Sequence, residues 1–326
     1  MIAIEISSPG GPEVLRPIER PIPEPSVGEI LIRVRAAGVA RADVMQRQGK
    51  YPPPPGASDI PGLDVAGTVE SIGEGVSEYK AGEPVCAILT GGGYAEYCLA
   101  PAEQVLPIPE NWTFTEAATL PENLFTVYDN LVTRAGLKSG ETVLVHGGTS
   151  GIGSMAIMVS RQVGALPFAT AGSDAKAQAC LTFGATHAIN YRRSDFVAEL
   201  KRLTADRGVD VVLDMIGGPY LDRNLEALAQ EGRISIVATQ GGRQGQLDIG
   251  KLMGKRARVM GSTMRVRSKE EKGRVARRLA EAVWPALPEK QWIKPVIDAT
   301  FPLSHARSAH ERLESGEHIG KIVLTV

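Results

Sequence analysis

The chain has 326 residues with 36 basic and 37 acidic side chains, and 43% of its residues are hydrophobic. This length indicates two domains, and the composition is typical of a globular protein with enough apolar residues for a core. There is no basic block or stripe, which argues against nucleic acid or an anionic membrane as a partner. Because the first residues lack a signal-peptide pattern and no apolar run is long enough to span a membrane, we expect a cytoplasmic protein.

The metal-binding residue types are scattered. Cys86, Cys98 and Cys180 form no C-x-x-C pair, which fits a reducing compartment better than a disulfide scaffold. A zinc site built on cysteine needs clustered ligands. The five histidines also lack a metal-binding spacing, so we interpret them as structural and predict no metal site.

The first part of the chain is predicted to be rich in β-strands. Strand-like patterns occur in "MIAIEI", "EILIRVRAAGV", "VAGTVESIGEGV" and "YAEYCLAPAEQVLPIP", separated by turn-like segments. Residues 48–62, "QGKYPPPPGASDIPG", contain too many prolines for a helix or a central strand. We expect an ordered, extended loop of the kind that often lines functional sites.

From about residue 120 the pattern changes to alternating helices and strands. Residues 120–137 have the apolar spacing of a helix. Candidate strands then occur in "TVLVHG", "LPFATAG", "HAINY", "DVVLDMI", "GRISIVAT" and "ARVMGST", and candidate helices in "SMAIMVSRQVG", "DAKAQACLTFG", "DFVAELKRLT" and "YLDRNLEALAQ". This alternation predicts an α/β fold with a doubly wound, Rossmann-type parallel sheet.

The last part of the chain is predicted to rejoin the first. Residues 269–287 indicate one more charged helix, and the final stretch indicates a strand, a helix and the tail strand "KIVLTV". We expect this tail strand to pair with the β-rich part. The predicted domains are therefore residues 1–122 with 288–326, and residues 123–287.

A glycine-rich turn, "VLVHGGTSGIGSMA" at residues 143–156, indicates dinucleotide binding. It follows a predicted strand and opens a predicted helix, which is the context that such a turn requires. Glycines permit the tight turn, and the N–H groups and dipole of the helix N-terminus hold the pyrophosphate. The candidate cofactor-binding residues here are Gly148, Ser150, Gly151, Ile152 and Gly153. A glycine-rich connection that binds nothing is the alternative.

The end of the next predicted strand, "FATAGSDAK", favours NADPH over NADH. An acidic residue that binds the ribose of NAD is expected at this point, but Gly172 and Ser173 occupy it. Asp174 suits the first turn of a helix better. Ser173, Lys176 and Tyr191 are candidates for holding the 2′-phosphate. The alternative is that Lys176 is a solvated helix residue.

These segments together resemble the zinc-independent quinone oxidoreductases of the medium-chain dehydrogenase/reductase superfamily, the zeta-crystallin-like group. "RADVMQRQGKYPPPPGAS", residues 41–58, is the specific part and is similar to the tumour-suppressor-inducible NADPH quinone oxidoreductase branch, as are "GGPE", "GGGYAEY", "TAGS" and "IGKIVL". The resemblance covers essentially the whole chain. It implies a GroES-like catalytic domain, a Rossmann domain with the cofactor in the cleft between them, and a homodimer formed by Rossmann edge strands such as "ARVMGST".

The resemblance also implies roles for individual residues. Tyr51 is similar to the tyrosine beside the nicotinamide, with a packing aromatic as the alternative. Thr126 resembles a threonine that faces the cofactor, or it bonds back to a helix carbonyl. Arg265 and Arg267 are expected to reach cofactor phosphates or substrate, or to form surface and dimer-rim salt bridges. The remaining implied cofactor contacts are Ala238, Thr239, Gln240, Gly241, Ser262 and Met264.

Zinc-dependent members of the superfamily have a catalytic cysteine near the position of Ala40 and a Gly-His-Glu motif where this chain has Gly62, Leu63 and Asp64. Neither ligand is present here, so we expect metal-free chemistry. A quinone needs positioning more than Lewis-acid activation, which makes it the expected substrate. Many relatives have Asn at the position of Ala40, and alanine supplies no such hydrogen bond.

Two other functions remain open at this point. One is reduction of an activated enone or enoyl thioester, for which Tyr51 is the candidate proton donor. The other is an NADPH-binding structural or RNA-binding protein of the crystallin type, against which the balanced charge argues.

Overall fold

A computed structural model describes all residues from Met1 to Val326. Its strands are β1 (Ile2–Ile6), β2 (Leu15–Glu19), β3 (Glu29–Val39), β4 (Asp64–Ile72), β5 (Pro84–Ile88), β6 (Tyr97–Pro101), β7 (Val105–Pro107), β8 (Thr142–Val145), β9 (Leu166–Ala171), β10 (His187–Asn190), β11 (Val209–Asp214), β12 (Leu228–Ile236), β13 (Arg258–Gly261), β14 (Ile297–Pro302) and β15 (Lys321–Thr325). Its α-helices are α1 (Arg41–Arg47), α2 (Phe114–Ala117), α3 (Pro121–Val127), α4 (Gly151–Val163), α5 (Asp174–Thr182), α6 (Phe196–Leu203), α7 (Leu221–Ala227), α8 (Ile249–Lys255), α9 (Lys269–Ala282) and α10 (Ala306–Glu314). A π-helix covers Tyr128–Arg134, and short 3-10 helices cover Pro12–Val14, Ala102–Gln104, Gly218–Tyr220, Trp284–Ala286 and Leu303–His305.

The chain forms two compact units. The first unit contains Met1–Phe125, Met264–Gln291 and Pro295–Val326, and the second contains Thr126–Thr263 and Trp292–Lys294. Residues 264–287, which the sequence analysis assigned to the parallel-sheet domain, lie in the first unit. Hydrogen bonds to strand ends hold them there: Arg265 Nε donates to the Thr90 carbonyl at 2.8 Å, and Trp284 Nε1 donates to the Pro107 carbonyl at 2.8 Å.

The first unit is built on a sheet with the strand order β14-β15-β3-β4-β5-β7, and β6 also pairs with β3. Strand β3 alternates between buried Ile32 and Val34 and exposed Arg33 and Arg35, as expected for a strand with one face in the core. Strand β15 pairs antiparallel with β3, so the predicted return of the tail strand to the β-rich part is confirmed.

The proline-rich segment at residues 48–62 contains neither helix nor strand, as predicted. A buried glutamine ties it to α1, because Gln46 Nε2 donates to the Asp59 carbonyl at 2.9 Å. Prolines 52–55 limit the backbone freedom of the segment. The loop is therefore ordered by its prolines and by side-chain hydrogen bonds.

The second unit has one sheet with the strand order β10-β9-β8-β11-β12-β13, and all of its strand pairs are parallel. The order reverses between β8 and β11, so the predicted doubly wound α/β sheet is confirmed. Strand β8 is buried at Val143, Leu144 and Val145, as expected when helices cover both faces. Ligands of such sheets bind at the carboxyl ends of the strands beside this reversal.

Two local features differ from the sequence analysis. The predicted helix over residues 120–137 is α3 followed by the wider π-helix. Asn130 accounts for the change, since its amide donates to the Thr126 carbonyl at 2.8 Å and its Oδ1 accepts from Ser235 and Ser262. Helix α8, with Asp248 as its N-cap, was not predicted, and neither were the short helices α1 and α2 of the β-rich first part. None of the helices combines the length and apolar content that crossing a membrane requires.

A buried ion cluster of Asp64, Glu122 and Lys321 lies in the first unit. Lys321 Nζ lies 2.7 Å from Asp64 Oδ2 and 3.2 Å from Glu122 Oε2, and Asp64 also accepts a hydrogen bond from the Glu122 backbone. Asp64 and Lys321 are 0% and 4% exposed. Because neither charge can reach water, each depends on the other for its stabilisation.

Replacing Lys321 with methionine should strongly destabilise the first unit. The change leaves the Asp64 carboxylate buried without its cation, which costs about 3–5 kcal/mol. Chemical denaturation followed by tryptophan fluorescence measures the loss. Lys80→Met, at an exposed position, is the control and should change stability little. Equal stability of the two variants would contradict the role of the ion cluster.

Candidate active site

The glycine-rich turn joins β8 to α4. Ser150 is the N-cap of α4: its Oγ accepts from the Gly153 N–H at 2.9 Å and donates to the Gly147 carbonyl at 2.9 Å. The Ser154 N–H bonds to the Ser150 carbonyl. The N–H groups of Gly151 and Ile152 have no acceptor within the helix, as is general for a first turn. They are the donors that an anionic group would bind.

Close packing around this turn leaves no room for side chains at two of its glycines. A Cβ on Gly153 would lie 2.1 Å from the Gly147 carbonyl oxygen, and a Cβ on Gly148 would lie 2.6 Å from Cys180 Sγ. Gly147 itself has a φ of +60°, which favours glycine. The turn therefore fits a bound pyrophosphate, for which the backbone must pass close to both the ligand and the neighbouring strand.

The end of β9 carries the predicted 2′-phosphate residues. Ser173 is the N-cap of α5, where its Oγ accepts from the Lys176 N–H at 3.2 Å. The Asp174 carboxylate is occupied: Asn190 Nδ2 donates to it at 2.6 Å, and Arg193 Nη1 lies 2.6 Å from its other oxygen. Asp174 is thus a first-turn carboxylate with its own partners, as the sequence analysis proposed.

Tyr191 lies next to this strand end. Because Gly172 has no side chain, Tyr191 after β10 can lie close to the end of β9. The Tyr191 hydroxyl is 2.8 Å from the position that a Cβ on Gly172 would occupy. Arg192, which the sequence analysis missed, has its Nε 3.7 Å from the same point. The signal that could have found it is the pair of arginines that follows Tyr191 at the end of the strand "HAIN". Arg192 thus places a positive charge beside Gly172, the neighbour of Ser173.

The end of β12 supplies backbone rather than side chains. The Gln240 N–H donates to the Met215 carbonyl at 3.1 Å and the Gly241 N–H to the Ile216 carbonyl at 2.8 Å. These bonds attach residues 237–242, including Ala238 and Thr239, to the segment that follows β11. Ser262, just after β13, donates to Asn130 Oδ1 at 2.9 Å. All of the candidate cofactor-binding residues except Met264, Arg265 and Arg267 thus lie at the carboxyl ends of strands in the second unit. Their binding roles stay predictions.

Met264 and Arg265 lie in the first unit, and the alternative of a surface salt bridge is wrong for Arg265. Its side chain is buried, at 4% exposure, and it donates to Gln46 Oε1 at 2.6 Å, Thr90 O at 2.8 Å and Tyr51 O at 3.2 Å. Its guanidinium carbon is 5.3 Å from the centre of the Tyr51 ring. Binding of the cofactor by Arg265 stays a prediction.

Tyr51 and Thr126, the predicted catalytic residues, lie in different units. Tyr51 is half-buried on the proline-rich loop, where burial raises the pKa of its hydroxyl and Arg265 lowers it. Its hydroxyl is therefore protonated and can donate a hydrogen bond. Thr126 is half-buried in α3, and its carbonyl accepts from Asn130.

A buried polar network holds the segments around Ala40 and Gly62. Asp43 accepts from the Ala40 N–H at 2.8 Å and the Gly62 N–H at 3.0 Å, and Tyr94 Oη donates to it at 3.2 Å. His310 Nε2 lies 3.1 Å from the Tyr94 hydroxyl, and burial lowers its pKa to about 3. A histidine that stays neutral fits the structural role predicted for it.

Comparison with known proteins identifies the family. Residues 26–110 match the model of the alcohol dehydrogenase GroES-like domain, and residues 151–281 match the model of zinc-binding dehydrogenases. The chain is 34% identical to a rat quinone oxidoreductase over 99% of this chain and 97% of that protein. The chain belongs to the medium-chain dehydrogenase/reductase superfamily. The predicted combination of a GroES-like domain and a Rossmann domain is confirmed.

Solved structures of the superfamily support the same conclusion. An Escherichia coli quinone oxidoreductase in complex with NADPH matches with a TM-score of 0.85 at 30% identity, covering 100% of both chains. A mycobacterial protein in complex with NADPH matches with a TM-score of 0.88 at 30% identity, again over 100% of both chains.

The residues at the zinc-ligand positions of the superfamily do not fit a zinc ion in this member. Ala40 and Leu63 have no donor atom. Asp64 has donor atoms, but its Oδ2 lies 2.7 Å from the Lys321 ammonium, so this carboxylate is already ion-paired. Zinc prefers cysteine, histidine and carboxylate ligands in a set of three or four, and no cluster of three such residues is found anywhere in the chain.

Gly153→Ala should destabilise the glycine-rich turn. Because the added Cβ would overlap the Gly147 carbonyl, we expect a loss of about 1–3 kcal/mol, measured by thermal unfolding. Gly254→Ala is the matched control, since nothing lies within 4 Å of its Cβ position in α8. That variant should be neutral or more stable by up to about 1 kcal/mol. If both variants melt at the same temperature, the close packing of the turn is refuted.

Proposed function

We propose that this protein is an NADPH-dependent oxidoreductase that reduces quinones without a metal ion. The observation that carries the proposal is the combination of a dinucleotide turn in the second unit with Ala40 and Leu63, which have no donor atom, at the positions where zinc-dependent relatives have ligands. Without a Lewis acid, an ordinary ketone gains little stabilisation of its developing alkoxide. A quinone is electrophilic enough to need mainly orientation.

NADPH is the cofactor that the second unit fits best. Bound NADPH supplies a hydride from its nicotinamide ring. The turn from Gly148 to Gly153 would hold its pyrophosphate, and Ser173, Lys176 and Tyr191 its 2′-phosphate, with Arg192 adding positive charge. Similar chains have been solved with NADPH, which supports this choice.

Tyr51 is the residue we assign to the substrate oxygen. Its protonated hydroxyl would donate a hydrogen bond to the quinone oxygen that gains negative charge, and the Arg265 guanidinium at 5.3 Å from its ring makes the surroundings positive. The quinol oxygens then take protons from water. Thr126 is assigned to a contact with the bound cofactor.

An assay of NADPH oxidation tests the function. We expect turnover with an ortho-quinone or a para-quinone and little turnover when NADH replaces NADPH. An enoyl thioester offered in parallel should not be reduced. Turnover of the thioester alone would contradict the quinone proposal.

Within the same assay, Lys176→Met should raise the KM for NADPH about 10- to 100-fold, because a charge-assisted contact with the 2′-phosphate is lost. The KM for NADH should be unchanged. Lys80→Met is the control.

We also propose a homodimer formed through β13. This strand is at the edge of its sheet, and Val259 on it is exposed, as are Ile249 and Met253 on the neighbouring α8. An exposed apolar edge strand is a surface that pairs readily with a second copy.

Val259→Lys should convert the dimer to a monomer, because it places a charge on the pairing edge. Light scattering coupled to size-exclusion chromatography measures the mass. Val27→Lys, at a residue that is 69% exposed in the first unit, is the control and should stay dimeric. A Val259→Lys variant that remains dimeric at low protein concentration would rule out this interface.

A further inference from the structure

Two buried cations, Arg265 and Lys272, meet at Thr90, and neither forms an ion pair. The Asp43 carboxylate only partly offsets the lowering of the Arg265 pKa by burial. Arg265 donates to three neutral acceptors: the Gln46 side chain, the Thr90 carbonyl and the Tyr51 carbonyl. Lys272, 1% exposed in α9, donates from Nζ to Thr90 Oγ1 at 2.8 Å. Thr90 thus binds one cation through its carbonyl and the other through its hydroxyl.

Such an arrangement costs stability. Moving a charge out of water is unfavourable unless an opposite charge compensates it. Burial, and after it the nearby cations Arg265 and Arg267, lower the pKa of Lys272 to about 8, as expected for a charge that is poorly compensated. Glu103 lies against α9 at Gly273, one residue away, but makes no ion pair with Lys272. Charges kept at such a cost are more often found at functional sites than in inert cores.

The geometry explains what the charges can do. The Tyr51 loop has no secondary structure of its own, and its position depends on side-chain contacts. The fork of Arg265 joins that loop to α1 through Gln46 and to the end of β5 through Thr90. A planar guanidinium can satisfy all three acceptors at once, whereas an ammonium cannot reach them in the same geometry.

We propose that Arg265 and Lys272 are positioning residues for Tyr51. Arg265 fixes the backbone and ring of Tyr51, and Lys272 holds Thr90 in place for Arg265. This inference rests on the role of Tyr51 in the proposed function. Ala40 has no side-chain donor, so position 40 cannot replace the hydrogen bond that a misplaced Tyr51 hydroxyl would lose.

A double-mutant cycle tests the role of Arg265. Quinone reduction is measured for Tyr51→Phe, Arg265→Met, Arg265→Lys and the Tyr51→Phe/Arg265→Met double variant. We expect Arg265→Met to lower kcat about 10- to 100-fold, because a displacement of the Tyr51 hydroxyl by about 1 Å costs that much, and to leave the KM for NADPH unchanged. A raised KM for NADPH would instead support the cofactor-binding role predicted for Arg265 and would overturn the positioning role. Arg265→Lys should recover only part of the activity. In the Tyr51→Phe background, Arg265→Met should have little further effect. Arg277→Met, at an exposed position on α9, is the control.

The outcomes separate the two claims. If Tyr51→Phe lowers kcat and the Arg265→Met effect multiplies with it, Tyr51 keeps its role and the positioning inference is overturned. If Tyr51→Phe is fully active while Arg265→Met is impaired, the role of Tyr51 is refuted and the inference falls with it. Quinone turnover by the unaltered protein decides the proposed function independently of both results.

Lys272→Met provides a second, independent measurement. Because it removes a buried charge without a carboxylate partner, the melting temperature should stay equal or rise, while kcat falls several-fold. A merely structural lysine would give the opposite result, a lower melting temperature. Unchanged kcat in Lys272→Met would overturn the role of Lys272. Lys269→Met, exposed at the start of the same helix, is the matched control.

Discussion

The ion pair between Lys321 and Asp64 is the constraint on which the first unit depends. Lys321 starts the last strand, Asp64 starts β4, and Glu122 belongs to α3, so one ammonium joins three distant segments. Packing around it is tight: a Cβ on Gly38 would lie 2.8 Å from both Asp64 Oδ2 and Lys321 Cε.

In the proposed function the two units have different roles. The second unit offers backbone N–H groups and basic side chains at the carboxyl ends of its strands, which suits a phosphate-rich cofactor. The first unit offers a protonated Tyr51 supported by the buried cations Arg265 and Lys272. Asp43 and its partners fix the backbone at Ala40 and Gly62. The groups of the first unit are therefore held by buried contacts, whereas Tyr191 and Arg192 of the second unit are exposed.

The parts that the sequence predicted are those with local causes. The glycine turn, the alternating strands and helices and the first-turn place of Asp174 depend on neighbouring residues, and the structure contains all of them. The missed features arise from long-range contacts. Arg265 and Lys272 meet Thr90 across 175 and 182 residues, and Lys321 meets Asp64 from the far end of the chain. No local pattern marks such pairs, so the role of Arg265 could not be distinguished from a surface salt bridge.

Metal-free quinone reduction is tested by measuring activity after exhaustive removal of metal. The protein would be treated with a strong chelator, its metal content checked by mass spectrometry, and NADPH-dependent quinone reduction measured before and after. We predict the same rate in both samples, because Ala40 and Leu63 have no donor atom and no group of three or more His, Cys, Asp or Glu side chains could hold a metal ion. Loss of activity on chelation, with recovery on addition of Zn²⁺, would contradict it.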